Sequence, residues 1–421
     1  MASAYAIDEG RAFFTGVETL AHLMVLQRQR DAAAGLNTAG FVSGYRGSPL
    51  GGLDRTFWRW RSLLDEHRIH FQPAINEELA ATAILGTQQL NLHPGAERDG
   101  VFAMWYGKGP GLDRAGDALK HANSLGTAPL GGALVVVGDD HGAVSSSMAH
   151  QCEQVMSSWM MPVLHPASIR EYLEFGLLGF AMSRYSGCYV GFKAVSSIVE
   201  TATSIELDGG GLTLREPDDF EIPADGVHIR WPDPQLAQES RLQQIKIPAA
   251  LAFARANGID RTVWDSPDAR YGIVATGKAY GDLMQALTEL GIDGERASQL
   301  GLRIYKVGMP WPLEPEGVRR FARGLEKILV VEEKRPLVEA QLKELLYGLP
   351  ERERPTVVGK ADARGAPLLP SPGELRAALI ASVLVRWLPI DSTTRDSHAH
   401  LERHAARQAP LSQLPPPARP P

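Results

Sequence analysis

Hydrophobic and polar positions alternate along the first half of the chain in a pattern that predicts strands and helices in turn. Apolar residues recur near helical spacing between Phe13 and Leu26, which predicts an amphipathic helix over 12–31. The strands predicted after it are 40–45, 69–73, 101–106, 133–138, 161–165 and 188–195, and the helices are 53–66, 76–91, 113–125, 144–158 and 168–184. This order predicts an α/β fold with a doubly wound, mostly parallel sheet.

A second, smaller α/β unit follows. The runs "YGIVATG", "LRIYKVGMPWPL" and "EKILVVEEKRP" are predicted strands, and each precedes a helical pattern. The segment before them is rich in Gly, Pro and Asp and predicts a long connection, with a helical stretch from about 235 to 257. The end of the chain has one predicted helix near 372–387 and then becomes rich in proline. The predicted domains are 1–202, 203–267 as the connection, 268–360, and 361–421 as a tail.

The unusual sequence follows the predicted strands. It comprises the glycine-lined "GFVSGYRGSPLGGLD" (40–54), "INEE" (75–78), "YGKGPGLDR" (106–114) and "GDDHGAVSSS" (138–147). Ligands of parallel sheets bind beyond the carboxyl ends of the strands. The glycine run matches neither the dinucleotide fingerprint nor the phosphate-binding P-loop. We therefore expect these motifs to form one ligand-binding site at this edge of the sheet, with a loop that differs from both of those nucleotide-binding motifs.

Glu77 is the first candidate for chemistry. Asn76 is a good helix N-cap, which puts Glu77 and Glu78 in the first helical turn. Both acids could simply complement the helix dipole. Alternatively, an acid at the start of a closely packing helix, at a sheet edge, is well placed to contact a ligand.

The loop "YGKGPGLDR" is the second candidate. Its backbone amides, together with Lys108 and Arg114, could bind an anion. The alternative is an ordinary glycine-rich connection between a strand and a helix.

Metal binding is the less favoured interpretation of two further clusters. Asp139, Asp140 and His141 end a strand, but three such neighbours rarely point at one ion, and capping of the loop is the favoured role. The histidines of the tail are expected to be solvated rather than to ligate a metal. They are His398, His400 and His404.

Composition narrows the classes of function. The 421 residues are 44% hydrophobic and 22% charged, which is ordinary for a globular protein of two or three domains. A net charge of −6 gives no basic footprint for nucleic acid, and no run of 18 apolar residues predicts a membrane span. The start shows no signal-peptide pattern, so a cytoplasmic location is expected. Cys152 and Cys188 make no disulfide framework and cannot ligate an iron–sulfur cluster by themselves.

Taken together, the motifs resemble a known family. The runs "GFVSGYRGSPLGGLD", "NEELAATA", "MWYGKGPGLDRAGDALKHANS", "GDDHGAVSSSMAHQ" and "MSRYSGCYVGFK" are similar in order and content to indolepyruvate ferredoxin oxidoreductases of the long, fused bacterial type. The resemblance covers about 12–200 and resumes in "KVGMPWPLEPEGV" and "ILVVEEKRPLVEAQLKELLYG". So many motifs in one order are far more specific than any single glycine-rich loop.

The resemblance implies a fold and a reaction. Enzymes of this family use thiamine diphosphate, coenzyme A and iron–sulfur clusters. They oxidatively decarboxylate a 2-oxo acid, typically an arylpyruvate, to an acyl-CoA and pass the electrons to ferredoxin. The first domain is similar to their pyrimidine-binding domain, and the second to the transketolase C-terminal-type domain.

The resemblance also implies roles for residues. Glu77 matches the glutamate that activates the cofactor, and Ser48 stands at the Ser/Thr-Pro position that related enzymes use beside the substrate. We expect Ser48 and Arg114 to bind substrate. The residues expected to bind the cofactor are Gly47, Ser48, Pro49, Gly107, Lys108 and Gly109.

The chain departs from the family pattern in two respects. A lysine is common in the long type where Val144 stands, so a role for that lysine does not carry over. The chain also has no Gly-Asp-Gly motif, which anchors the diphosphate through Mg²⁺, and no C-x-x-C motif. We therefore expect no metal on this chain, with Mg²⁺ and the 4Fe–4S clusters on a partner.

The leading hypothesis is thus one subunit, or a split half, of a 2-oxoacid:ferredoxin oxidoreductase. It would work in an oligomer with a diphosphate-binding, iron–sulfur subunit, and with ferredoxin, a 2-oxo acid and coenzyme A as partners. The alternative is a non-catalytic remnant or scaffold that keeps the fold and assembles with relatives.

Overall fold

The computed structural model describes residues 9–208 and 212–389. The proline-rich end of the predicted tail and its three histidines lie outside the described residues. Two compact units are present. The first comprises the chain to Arg261 with the short segments Thr276–Lys278 and Val307–Val318, and the second comprises Thr262–Ala275, Ala279–Lys306 and the chain from Arg319. Among the helices described, none has the length and apolar character needed to cross a membrane.

The strands of the described chain are numbered in sequence order. They are β1 (Glu9–Thr15), β2 (Ala39–Gly44), β3 (Ile69–Phe71), β4 (Val101–Lys108), β5 (Ala133–Asp139), β6 (Val163–Leu164), β7 (Val190–Val195), β8 (Ala202–Asp208), β9 (Arg261–Trp264), β10 (Tyr271–Thr276), β11 (Leu302–Val307), β12 (Lys327–Val331) and β13 (Thr356–Val358).

The α-helices are numbered in the same way. They are α1 (Gly16–Ala33), α2 (Leu53–Arg59), α3 (Arg61–Glu66), α4 (Glu77–Gln88), α5 (Gly109–Arg114), α6 (Gly116–Leu125), α7 (Glu153–Ser158), α8 (Ile169–Ser186), α9 (Ser196–Val199), α10 (Gln235–Arg241), α11 (Ile247–Ala256), α12 (Gly277–Glu289), α13 (Gly294–Gln299), α14 (Pro315–Ala322), α15 (Val338–Tyr347) and α16 (Ala377–Trp387).

The first unit is built on a six-stranded sheet in the order β3-β2-β4-β5-β7-β6, and every neighbouring pair is parallel. Alternate residues of β4 enter opposite cores. Phe102 and Met104 pack with α1 and α8, whereas Ala103 and Trp105 pack with α4 and α6. Helices therefore cover both faces, and the predicted doubly wound α/β class is confirmed.

The second unit has a five-stranded sheet in the order β13-β12-β10-β11-β9. Strands β10, β12 and β13 are parallel to one another along the sheet. Its core is formed by apolar residues of these strands together with α12, α13 and α16. This is the second, smaller α/β domain that the sequence predicts.

Residues 12–15 are not helical, contrary to the prediction for 12–31. They belong to β1, which pairs antiparallel with β8 along its whole length. The helix starts only after Thr15 because Thr15 and Glu18 form a capping box, in which each side chain accepts a backbone N–H of the other residue. The predicted irregular segment 203–267 accordingly starts with a strand.

The predicted helix 144–158 is also mostly absent, since only α7 forms. The carboxylate of Asp140 accepts the N–H groups of Val144, Ser145 and Ser146, and Asp139 accepts that of Cys152. These side-chain bonds hold the backbone in a loop and compete with helical hydrogen bonds.

Candidate functional site

The carboxyl ends of three neighbouring strands form the site. The register pairs Gly44 of β2 with Tyr106 of β4, and Lys108 of β4 with Gly138 of β5. The loops that follow these strands therefore leave the sheet side by side. This is the edge at which the sequence places its unusual motifs.

Glu77 is fixed at the start of α4. The side chain of Asn76 accepts the N–H of Leu79 at 2.8 Å, as predicted for an N-cap. The indole N–H of Trp105 donates to the carbonyl of Glu77 at 3.0 Å, and this indole is fully buried in the core. The helix start is thus anchored from two sides, and the Glu77 side chain is only 8% exposed.

A polar pocket of about 340 Å³ opens at this helix start. It is lined by Tyr45, Ile75, Asn76, Glu77, Lys108, Pro110, Gly111 and Arg114. Arg114 Nε lies 3.9 Å from Glu77 Oε2, and the Arg114 side chain remains 60% exposed. An ion pair so exposed contributes little to stability. The guanidinium is therefore accessible to an anionic ligand.

Gly111 lets α5 approach the Glu77 carboxylate. A Cβ built on Gly111 would lie 2.5 Å from Glu77 Oε1, far inside normal contact distance. The same close packing recurs at the predicted glycines. A Cβ on Gly47 would meet Cδ of Lys108 at 2.9 Å, one on Gly107 would meet the Trp105 ring at 2.5 Å, and one on Gly109 would clash with the His150 ring.

Ser48 lies in the loop after β2 and contacts the loop after β5. Its hydroxyl is within hydrogen-bond distance of the Ser145 hydroxyl, and its carbonyl accepts from the Ser146 hydroxyl at 3.4 Å. In the same loop, burial opposes ionisation of Asp140, but N–H donors from Ser145, Val144 and Ser146 outweigh it and lower the pKa of the carboxyl. Asp140 therefore caps the loop, and its oxygens are engaged in doing so.

The structure reveals a buried ionic cluster that the sequence analysis missed. Lys193 on β7 is fully buried, with Nζ 2.6 Å from Glu153 Oε2 and 3.5 Å from Asp139 Oδ2. His150 Nδ1 lies 3.2 Å from Asp139 Oδ1, and Nε2 lies 3.1 Å from Asp113 Oδ2. A lysine within the otherwise apolar strand "VGFKAV" was the available signal, since a buried lysine requires a charged partner.

The donor set at this cluster does not fit a metal ion. Asp139, Cys152 and Glu153 offer ligand atoms within 4.8 Å of one another. However, the Lys193 ammonium already contacts both carboxylates, and burial raises the pKa of the Cys152 thiol, which keeps it protonated. The cationic partner of these acids is a lysine.

Comparisons with known proteins show what this chain is similar to. Residues 261–409 match a family described as the indolepyruvate oxidoreductase domain. The indolepyruvate oxidoreductase subunit IorA of Thermococcus kodakarensis is 27% identical over 74% of this chain and 45% of its own length. The corresponding subunit of Methanothermobacter thermautotrophicus is 24% identical over 76% of this chain and 48% of its own length. The chain thus spans about half the length of these curated relatives.

Two solved structures share the fold. A 2-oxoglutarate:ferredoxin oxidoreductase from Magnetococcus marinus, with 2-oxoglutarate, coenzyme A and succinyl-CoA bound, superposes with a TM-score of 0.63 at 14% identity, over 90% of this chain and 65% of that chain. A split-gene transketolase, an inactive β4 tetramer, superposes with a TM-score of 0.50 at 12% identity, over 87% and 97% of the two chains. The predicted resemblance to indolepyruvate oxidoreductases is confirmed, and the chain is similar to the A subunits of these enzymes.

Proposed function

We propose that the chain is a subunit, or a split half, of a thiamine diphosphate-dependent 2-oxoacid:ferredoxin oxidoreductase that acts on an arylpyruvate such as indolepyruvate. It contributes the half of the active site that binds the aminopyrimidine of the cofactor. The similarity to indolepyruvate oxidoreductase subunits supports the reaction class.

The observation that carries the proposal is the placement of Glu77. Its carboxylate is nearly buried, lies in the wall of a polar pocket, and faces a glycine that leaves it room. Such a carboxylate can accept a hydrogen bond from a protonated ring nitrogen and hold the proton there. Thiamine diphosphate supplies, when bound, a carbon nucleophile that attacks the ketone of the substrate.

The other residues of the pocket are suited to the acidic groups of ligands. Arg114 presents an exposed guanidinium that can pair with the carboxylate of a 2-oxo acid. The hydroxyl of Ser48 can donate a hydrogen bond to the same group. Lys108, whose stem packs on Gly47, supplies a further positive charge beside the cofactor.

We propose that a partner completes this site. The sequence contains no Gly-Asp-Gly motif and too few cysteines for a 4Fe–4S cluster, so Mg²⁺, diphosphate and cluster binding are assigned to the partner. Apolar side chains project into solvent around the pocket. Ile75 and Val144 are each 83% exposed, and Leu79 and Met148 are about half exposed. Exposed apolar side chains also occur elsewhere, as at Trp231 and Leu236, but those on the loops and helix of this edge border the proposed site, so we place the partner here.

The alternative is a non-catalytic scaffold that only assembles with relatives. A scaffold has no need of a nearly buried acid in the wall of a pocket or of the glycine that makes room for it. The pairing of Glu77 with Gly111 therefore favours the catalytic role.

The test is Glu77→Gln in the chain assembled with its partner. Glutamine keeps the size but is a poor proton acceptor, so acyl-CoA formation from an arylpyruvate should fall by about 100- to 10,000-fold, the range typical of general acid–base groups. Glu78→Gln is the matched control, because Glu78 is exposed on the same helical turn and should leave turnover nearly intact. The chain without its partner is the negative control.

Two results would contradict the assignment. The first is wild-type turnover by Glu77→Gln at full assembly, and the second is a loss of activity confined to Glu78→Gln. Thermal melting of both variants identifies a loss of activity that comes from unfolding alone.

A further inference from the structure

The buried ionic cluster beside the pocket has no part in the function proposed above. It joins the core of the sheet to α5, the short helix that carries Gly111 and Arg114. We propose that His150, held as an imidazolium between Asp139 and Asp113, is a positioning residue that fixes α5 against Glu77. This inference rests on the proposed function only in its consequence for substrate binding.

The two nitrogens of His150 face two carboxylates. Nδ1 is 3.2 Å from buried Asp139, and Nε2 is 3.1 Å from Asp113, which is half exposed on α5. A neutral imidazole can donate from only one nitrogen, whereas the imidazolium donates from both. Only the charged ring therefore satisfies both acceptors at once.

The balance of buried charges also favours the imidazolium form of His150. The fully buried Asp139 and the nearly buried Glu153 carry two negative charges, and Lys193 carries one positive charge. The imidazolium of His150, which is 10% exposed, supplies the second positive charge. Without it, the two buried carboxylates would have only Lys193 and the buried His141, which also lowers the pKa of Asp139, to offset their charge.

His150 contacts α5 at two points on one face. Its ring occupies the space where Gly109 would carry a Cβ, and it bonds Asp113 four residues later, one helical turn away. Gly111 of the same helix packs on Glu77. The helix has only six residues and no side-chain cap at its N-terminus, so it has little stability of its own and depends on such contacts.

The arrangement makes the position of α5 sensitive to pH. The charged and titratable groups around the ring and its partner Asp139 are Asp139 on β5, Asp113 on α5, Lys193 on β7, Cys152 and Glu153 at α7, and the buried His141 in the loop after β5. Burial favours the neutral ring, but hydrogen bonds and charges from Asp139 and Asp113 outweigh it and raise the pKa of His150. The cation is present below this raised pKa and is lost as the pH rises through it, so α5 should loosen as the pH rises above the pKa of His150.

Hydrogen exchange of the α5 backbone tests the inference without any assay of turnover. In His150→Gln, amide exchange over residues 109–116 should accelerate by about ten- to a hundredfold, which corresponds to losing charge-assisted hydrogen bonds. His121→Gln is the matched control. His121 also faces an aspartate, Asp117 at 3.4 Å, but on the surface of α6, and its loss should leave α5 unchanged.

Asp113→Asn is the second variant, because its half-exposed side chain can be replaced without unfolding the chain. The substitution removes one of the two carboxylates that stabilise the His150 cation, which lowers the pKa of the ring. The pH at which α5 exchange accelerates should therefore drop by about half a unit or more. Wild-type exchange of α5 in His150→Gln, or an unshifted pH profile in Asp113→Asn, would overturn the inference.

Kinetics of the assembled enzyme provide the final distinction. A displaced Arg114 should raise KM for the 2-oxo acid in His150→Gln by about tenfold or more, with a smaller effect on kcat. If exchange accelerates but KM is unchanged, His150 positions α5 and the substrate role of Arg114 is wrong. If neither changes, the positioning role itself is wrong.

Discussion

Gly111→Ala tests whether the position of Glu77 matters, with a single added methyl group. The new Cβ would lie 2.5 Å from Oε1, 2.7 Å from Cγ and 2.9 Å from Cδ of Glu77. Carbon contacts are relaxed only near 3.5–4.0 Å, so the carboxylate must move by about 1 Å. Gly111 lies within α5, where alanine is a better helix former than glycine, so the backbone itself is not strained.

The expected loss of activity follows from this displacement. A misplacement of about 1 Å near the reacting groups costs on the order of 100-fold in rate, or about 3 kcal/mol of barrier. Overpacking costs about 1–3 kcal/mol of stability, and the helix propensity of alanine offsets up to about 1 kcal/mol of that. The variant should therefore stay folded at assay temperature and lose most of its turnover.

The assay is acyl-CoA formation from an arylpyruvate by the assembled enzyme, together with urea unfolding of the chain. Gly86→Ala is the control, because Gly86 lies on the same helix as Glu77 and a Cβ at this position would meet nothing within 4 Å. It should keep full turnover and gain about 0.5–1 kcal/mol in free energy of unfolding. Full turnover by Gly111→Ala, with a displaced carboxylate in its crystal structure, would refute the argument that Glu77 must be held in place.

Two further predictions concern stability. Arg184→Met should lower the free energy of unfolding, measured by urea denaturation, by about 3–5 kcal/mol, because Arg184 forms two 2.7 Å bonds to the buried Asp31 and its removal leaves that charge unpaired. The control is Arg170→Met, at an exposed ion pair on the same helix, which should lower it by under about 1 kcal/mol. Equal losses in the two variants would contradict the argument. Burial raises the pKa of Asp260 to about 7, so its charge destabilises the fold increasingly as the pH rises from about 4 to 7. Asp260→Asn should therefore raise the melting temperature at pH 8 more than at pH 5, and an equal change at both pH values would show that ionisation of Asp260 does not matter.

Local pattern in the sequence determined much of this protein. Strand and helix patterns alternate along the first half of the chain, and this order predicted the α/β class that the structure has. Asn76 was identifiable as a cap because its role is confined to one helical turn. The position of Glu77 at the start of a helix at the sheet edge followed from the same signal.

Long-range contacts, in contrast, were decided only by the tertiary structure. The pairing of β1 with β8 joins residues nearly 200 positions apart, and no local pattern encodes such a partner. The same holds for Lys193, Asp139 and His150, which come from a strand, a strand end and a loop. The order of strands in the sheet brings these charges together, and burial then forces them to pair because isolated charges cannot leave water. The sequence alone thus placed Glu77 at the edge of the sheet, and the fold determined which residues surround it.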